Sequence, residues 1–218
     1  KTRIARSPMG FDFRIPERSG YRSHAFIGGN AFMLDMLREY RDDLYVEADN
    51  EQLRAMAKAT RVQLAQKTAR LTILEADRKD DVLEFDVRIE NLTGHKFPTG
   101  YPARRAWLKV EVMVGDQVVF ASGAFDDEGR ILGLEDPLRA PHVTMIEKSS
   151  DVVIYEMVAN GQDQQPTTYL TKMIERRKDT RLLPRGFDMS GPHIEETAPV
   201  GVHDDADFVA GGDRVGCR

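Results

Sequence analysis

The stretch Leu83-Glu84-Phe85-Asp86-Val87-Arg88-Ile89-Glu90 alternates apolar and charged side chains at every position. Successive side chains of a β-strand lie on opposite faces, so this alternation predicts a strand with one face buried and the other in water. Residues 106–114 show a similar alternation, and the turn residues Gly115-Asp116 separate them from a further apolar run at 118–122. These last two runs predict a β-hairpin, because a short Gly/Asp turn joins them.

Shorter strands are predicted in the remainder of the C-terminal two thirds of the chain, at residues 143–147, 152–158 and 213–217. Turn-forming Gly, Pro and Asp residues separate the strands, which is typical of an antiparallel sandwich. Residues 72–218 are therefore expected to form a mainly β domain, an antiparallel immunoglobulin-like β-sandwich. Residues 167–177 fit either a helix or a strand, and both interpretations stay open.

An extended arm and two helices are expected in residues 1–71. Residues 1–23 are rich in Arg and contain several Pro and Gly residues, a composition that favours an extended arm. Asn30 is a candidate N-cap, and apolar residues at helical spacing follow it over Asn30–Tyr40. A second run with helical spacing extends over Asn50–Leu71, so the sequence predicts two α-helices before the β domain.

Charge and composition argue against several classes of partner and site. The 218 residues include 31 basic and 36 acidic side chains, a net charge of −5, whereas binding to nucleic acid needs a basic face. No apolar run approaches the roughly 20 residues that cross a bilayer, so a transmembrane chain is not expected. Cys217 is the only cysteine, so the chain cannot form an internal disulfide or supply the two thiols of a CxxCH haem attachment site.

One predicted loop concentrates the residues that could bind a cofactor. Residues 91–102, Asn-Leu-Thr-Gly-His-Lys-Phe-Pro-Thr-Gly-Tyr-Pro, contain two prolines and two glycines, and they include His95. Proline lacks the amide hydrogen of a strand ladder, so this stretch is expected to be a rigid loop. Arg104 and Arg105 follow it directly. These side chains either satisfy polar groups inside the loop or serve a ligand, and rigid loops often carry function.

The loop with His95 resembles part of the sandwich domain that ends many multihaem c-type cytochromes of the periplasm or cell exterior. Family members carry several CxxCH sites, and this chain has none. The resemblance therefore implies a periplasmic or extracellular electron-transfer component or scaffold, whose haem c is held covalently by another segment or subunit. Further stretches share the resemblance: Ser23–Asn30, Phe120–Gly123, Asp126–Gly129, Lys178–Phe187, Asp207–Phe208 and Gly211–Asp213.

The resemblance also implies roles for single residues. A c-type haem in such assemblies is often ligated by two histidines, and the distal imidazole comes from sequence far from the haem attachment site. His24 is the first candidate for this distal ligand, and His95 is the second, because a neutral imidazole suits a low-spin electron-transfer haem. The haem propionates favour guanidinium groups as partners. The candidate arginines are Arg22, Arg104 and Arg105.

Other functions stay open on the sequence alone. The alternative is a haem-free β-sandwich module that binds another protein or a carbohydrate, with Tyr101 and Trp107 as an aromatic platform. The acidic stretches 126–128 and 203–207 offer oxygen ligands for calcium, although neither has the spacing of an EF-hand. No catalytic activity of its own is expected, because Ser122 lacks the GxSxG context of a nucleophile elbow.

Overall fold

The computed structural model describes residues 2–3, 17–18, 27–202, 208 and 211–218. The chain divides into two compact units, residues 1–60 and 61–218. Strand residues outnumber helical residues in the described part, and most strand pairs are antiparallel, which confirms the mainly β prediction. No helix among these residues has both the length and the apolar character needed to span a membrane.

The described elements, in chain order, are β1 (Thr2–Arg3), β2 (Glu17–Arg18), α1 (Ala31–Glu39), α2 (Asn50–Gln66), β3 (Ala69–Lys79), β4 (Val82–Asn91), β5 (Arg105–Trp107), β6 (Val110–Val114), β7 (Gln117–Ser122), β8 (Met145–Ile146), β9 (Ile154–Asn160), β10 (Pro166–Thr167), a 3-10 helix (Leu170–Lys172), β11 (Glu175–Asp179), α3 (Ile194–Thr197) and β12 (Gly212–Cys217).

The helix starts in residues 1–60 follow from side-chain capping. The Asn30 side chain accepts a hydrogen bond of 2.9 Å from the Met33 amide, which confirms Asn30 as the cap of α1. Helix α2 begins at Asn50, and Asp49 is its cap. The Asp49 carboxylate accepts from the Gln52 amide at 2.7 Å, and the Gln52 side chain accepts from the Asp49 amide at 3.1 Å, a reciprocal capping box.

The predicted end of α2 at Leu71 is wrong, because the helix ends at Gln66. The Thr68 hydroxyl donates to the Gln63 carbonyl at 2.8 Å, and strand β3 starts one residue later. Leu71 lies in β3, directly opposite Ile89 of β4. The apolar spacing of these residues fits a helix and a strand equally well, and the pairing with β4 decides for the strand.

The sheet that contains β4 has the strand order β3-β4-β12-β8. Strand β12 is antiparallel to β4, with Arg214 opposite Arg88, and parallel to β8. A second sheet has the order β10-β9-β11, with β5 also paired to β9, and β6 and β7 form a separate hairpin. The predicted strands at residues 83–90, 118–122 and 213–217 are confirmed as parts of β4, β7 and β12.

The single strand predicted over residues 106–114 is in fact two strands with different partners. Strand β5 pairs with β9, and β6 pairs with β7. Between them the Leu108 amide donates to the Val153 carbonyl at 3.0 Å. Gly123, with φ at +70°, packs so closely here that a Cβ would lie 2.0 Å from the Leu108 carbonyl oxygen. The side-chain alternation continues through the break, so the sequence does not mark it.

Three other predicted segments have different bounds from those expected. Residues 143–147 contain only the two-residue strand β8, and the strand predicted at 152–158 is β9, shifted toward the C-terminus. Residues 167–177, for which a helix and a strand were both possible, contain a short 3-10 helix followed by the start of β11. Tertiary pairing rather than local pattern sets these ends.

Strands of both four-stranded sheets contribute to one buried apolar cluster. Val87 and Ile89 of β4 and Val215 of β12 face it from one sheet, and Tyr155 of β9 contributes from the other. Leu182, which is fully buried, follows β11 and joins the same cluster. The alternation of β4 thus places its apolar face in the core and its charged face in water, as predicted.

Candidate functional site

The buried side chain of Asn91, at the end of β4, fixes the start of the His95 loop. Its Nδ2 group shares two N–H donors among three carbonyl oxygens, those of His95 at 2.7 Å and of Leu182 and Leu183 at 3.2 Å. Its Oδ1 atom accepts from the amide and the hydroxyl of Thr93, at 2.9 and 2.7 Å. One amide side chain therefore links the loop to the segment that follows β11.

The ring of His95 is oriented by its Nδ1 atom. This atom lies 2.9 Å from the Lys96 carbonyl oxygen and 3.2 Å from the Thr93 hydroxyl. A carbonyl oxygen can only accept, so Nδ1 carries a proton, and the neutral ring keeps its lone pair on Nε2. The residue is exposed, and no described residue hydrogen-bonds Nε2. This is the arrangement in which histidines ligate metals, with the second nitrogen bonded to a backbone carbonyl.

The residue after His95 joins the loop to a buried carboxylate. Lys96 Nζ lies 2.7 Å from Oδ2 of Asp179, which is completely buried at the end of β11. Arg181 donates to both oxygens of that carboxylate, at 2.7 and 2.8 Å, and Arg176 Nη1 lies 3.5 Å away. Phe97 adds two backbone hydrogen bonds to Leu182, at 2.9 and 2.8 Å. The loop is thus held at several points.

The ionisation of this cluster follows from burial and hydrogen bonding. Burial by itself would raise the pKa of Asp179, but the hydrogen bonds from Arg181 and Lys96 outweigh it and hold that pKa below its ordinary value. Burial lowers the pKa of Lys96, and the hydrogen bond to Asp179 opposes this shift. The Asp179 carboxylate therefore stays charged at neutral pH and keeps its cationic partners.

The two arginines after the loop have different surroundings. Arg105 donates through Nε to the buried carboxylate of Glu156 at 2.8 Å, and Lys178 lies 2.7 Å from the other Glu156 oxygen. Burial lowers the pKa of Lys178, against the hydrogen bond to Glu156. Arg104 is exposed, and one of its nitrogens donates to the Thr99 carbonyl at 3.1 Å. Arg105 is thus engaged inside the fold, whereas Arg104 keeps donors for a ligand.

The predicted site residues are only partly covered by the structure. His95 and Arg104 belong to the same loop region, and Arg105 begins β5. His24 and Arg22 lie outside the described residues. The structure therefore shows the surroundings of His95, the second candidate for axial ligand, whereas the role of His24, the first candidate, stays a prediction.

The aromatic residues proposed for a binding platform do not form an exposed pair. Tyr101 is 40% exposed, but Trp107 is partly buried. The indole N–H of Trp107 donates to the Gly123 carbonyl at 2.9 Å, and its ring meets the Phe125 ring edge to face at 5.7 Å. Trp107 is therefore committed to packing within the fold.

The described acidic stretch is used by its own turn. Asp126 Oδ1 accepts from the amides of Glu128 and Arg130, at 3.1 and 2.8 Å, and the Arg130 side chain pairs with both carboxylates. Residues 203–207 lie outside the described part. Within it, no group of three or more His, Cys, Asp or Glu side chains is arranged to hold a metal ion.

A buried polar trio was not foreseen from the sequence. The Tyr155 hydroxyl donates to Asp213 Oδ2 at 2.7 Å, and His142 Nε2 lies 3.3 Å from the same oxygen. All three side chains are buried, so they cannot reach an external ligand. Their separation along the chain leaves no local pattern by which they could have been found.

Comparison with known proteins finds no matching family model, no matching curated protein and no matching solved structure. The likeness to multihaem cytochromes therefore rests on the sequence motifs quoted above.

Proposed function

We propose that this chain is a docking component of a periplasmic or extracellular multihaem cytochrome assembly, in which His95 supplies an axial imidazole to a haem c held by another segment or subunit. The observation that carries the proposal is the orientation of the His95 ring. Its Nδ1–H is bonded to the Lys96 carbonyl, and Nε2 is left as an exposed lone pair. A second-nitrogen hydrogen bond of this kind fixes the tautomer and raises the basicity of a ligating histidine.

The surroundings of His95 fit a role at a partner's haem. The backbone that carries the ring is held by Asn91 and by the pair of Lys96 with Asp179, so little ordering entropy is lost on docking. Arg104 would pair with a propionate, since its guanidinium is exposed. A haem bound there would supply one-electron redox chemistry, while this chain would orient the imidazole and exclude water. His24 is the other candidate imidazole.

The proposal extends to the fold. An immunoglobulin-like arrangement of the two sheets is supported by the apolar cluster that they share. Loops at the ends of such sandwiches commonly present binding residues while the sheets stay rigid. The His95 loop joins β4 to β5, which belong to different sheets, and it would present its ring in this way.

The experiment uses microperoxidase, a short peptide with one haem c and its proximal histidine, as the probe. Titrating the full chain into microperoxidase should shift the Soret band to the low-spin position that added imidazole produces. His95→Ala should abolish the shift. His193→Ala is the matched control, because His193 is also exposed in a loop, and it should leave the titration unchanged.

Two further variants separate the alternatives. Arg104→Gln should weaken binding without changing the low-spin spectrum, since it removes a propionate partner and not the ligand. His24→Ala should leave the spectrum unchanged if His95 is the ligand. A titration that needs His24 but not His95 would refute the assignment to His95, and no spectral change with the unmodified chain would refute the haem-docking function.

A further inference from the structure

The water-facing side of the sheet β3-β4-β12-β8 carries a pocket of about 260 Å³ with a wall rich in guanidinium groups. Arg88 of β4, Arg214 of β12 and Arg185, which follows β11, line it together with the acidic residues Glu90 and Asp213. We call it the arginine pocket. It is separate from the residues assigned to haem docking, and the inference drawn from it does not depend on that function.

Two of these arginines are cross-strand neighbours. Arg214 lies directly opposite Arg88 in the antiparallel pairing of β12 with β4. Both side chains belong to the solvent face, because the alternate residues Val87 and Val215 are buried. Side chains directly opposite on antiparallel strands have Cβ atoms about 5 Å apart, and like charges there destabilise the sheet. The pair is therefore unfavourable unless anions compensate both guanidinium groups.

Carboxylates of the protein pair with Arg214 and Arg185 but not with Arg88. Arg214 Nε donates to Asp86 at 3.0 Å, and Arg185 donates to Glu90 at 2.8 Å. Among the residues that the structure describes, no side-chain hydrogen bond or ion pair involves the Arg88 guanidinium. The pocket lining thus carries three guanidinium groups against the two carboxyl groups of Glu90 and Asp213, in a chain whose net charge is −5.

The pocket is built by close backbone packing as well as by side chains. Gly211 has φ at +81°, and a Cβ there would lie 3.0 Å from the Cα of Arg185. A Cβ on Gly212 would lie 2.7 Å from the Ile89 carbonyl oxygen. Gly211 therefore lets the segment with Arg185 approach the start of β12 closely, and Gly212 lets β12 lie close to β4.

We propose that the arginine pocket binds a small dianion, phosphate or a short dicarboxylate, with Arg88 as the main donor. The guanidinium fork matches the oxygens of both groups and remains charged at every physiological pH. The pocket volume of about 260 Å³ leaves room for a phosphate or a four-carbon dicarboxylate. The bound dianion would also relieve the repulsion between Arg88 and Arg214.

The test titrates inorganic phosphate and succinate into the full chain at constant ionic strength, with heat of binding as the signal. Saturable binding of at least one of them is expected, with acetate much weaker. Arg88→Gln should weaken binding about tenfold or more, since one charge-assisted contact is lost. Arg177→Gln is the matched control, because Arg177 is also an exposed strand arginine without a partner among the described residues, and it should change nothing.

A second measurement shows whether the variant folds. Without ligand, Arg88→Gln should melt no lower than the unmodified chain, because the substitution removes a like-charge pair. Saturation by phosphate alone would define the ligand as a tetrahedral oxyanion, and saturation by succinate alone would define it as a dicarboxylate. Equal weakening by Arg88→Gln and Arg177→Gln, unchanged affinity in Arg88→Gln, or no saturation by either probe would overturn the proposal.

Discussion

Replacing Asn91 with aspartate tests how the His95 loop is held. The substitution keeps the shape of the side chain and the acceptor for Thr93, but it exchanges the Nδ2 donor for a charged oxygen. That oxygen would face the carbonyls of His95, Leu182 and Leu183 at the position where the amide now donates. Asn91 is completely buried, so water cannot compensate.

The cost can be worked out from the groups left without a partner. The Leu182 oxygen keeps the Phe97 amide, and the His95 oxygen keeps the Thr93 hydroxyl, whereas the Leu183 oxygen has no other donor among the described residues. In Asn91→Ala the Thr93 amide also loses its acceptor. Each buried unsatisfied group costs about 1–3 kcal/mol, so Asn91→Ala should lose roughly 2–6 kcal/mol.

Asn91→Asp should lose still more than Asn91→Ala at neutral pH, because it buries an uncompensated charge. Burial among carbonyls raises the pKa of the introduced carboxyl above its unfolded value, and the protonated form can donate to one carbonyl. The protonated carboxyl group therefore contributes stability below its unfolded pKa, and this stability is lost as the pH rises through its folded pKa. The deficit of Asn91→Asp relative to Asn91→Ala should shrink in acid.

Urea unfolding followed by the fluorescence of the single tryptophan, Trp107, measures these differences, since Trp107 and Asn91 lie in the same unit. The unmodified chain, Asn91→Ala and Asn91→Asp are compared at neutral and at mildly acidic pH. A loss below about 1 kcal/mol for Asn91→Ala would contradict the reasoning, because even one unsatisfied buried group costs that much. So would an Asn91→Asp variant more stable than Asn91→Ala at neutral pH.

Two further predictions concern the ionisation of Asp179 and of Cys217. The folded pKa of Asp179 lies below its ordinary value, so its carboxylate contributes stability above an unfolded pKa of about 4 that is lost as the pH falls through the folded pKa. Asp179→Asn should therefore lower the free energy of unfolding by about 3–5 kcal/mol at neutral pH and by much less in strong acid. Thermal unfolding across pH measures the difference, and a loss of stability that does not depend on pH would contradict the prediction. Burial, helped by Asp86, raises the pKa of Cys217 to about 11. At mildly basic pH, iodoacetamide should therefore alkylate Cys217 about a hundredfold more slowly than an ordinary thiol, as followed by mass spectrometry. The alkylation rate should rise about tenfold per pH unit, and a rate that does not rise with pH would refute the prediction.

The sequence alone identified the candidate loop but not what holds it. Two prolines and two glycines around His95 mark a rigid loop, because proline and glycine act through local backbone geometry. The partners that orient the loop are distant, since Asn91 bonds to a carbonyl 91 residues away and Lys96 pairs with a carboxylate 83 residues away. Such contacts leave no periodic trace in the sequence.

The arginine pocket could likewise be predicted only in part from the sequence. The alternation in β4 predicts that Arg88 faces water, but only the register of β12 places Arg214 opposite it. A shift of one residue in that register would separate the two guanidiniums. Neither the repulsion nor the surplus charge can be read from either strand by itself.

What the sequence determined by itself was therefore the set of properties that repeat along the chain within a few residues: the alternating strand β4, the cap of α1 and the turn between β6 and β7. What only the tertiary structure decided was the choice of partners, including the division of residues 106–114 between β5 and β6 and the end of α2 at Gln66. The physical reason is that side-chain direction follows from local backbone geometry, whereas hydrogen-bonded partners are selected by the packing of the whole core.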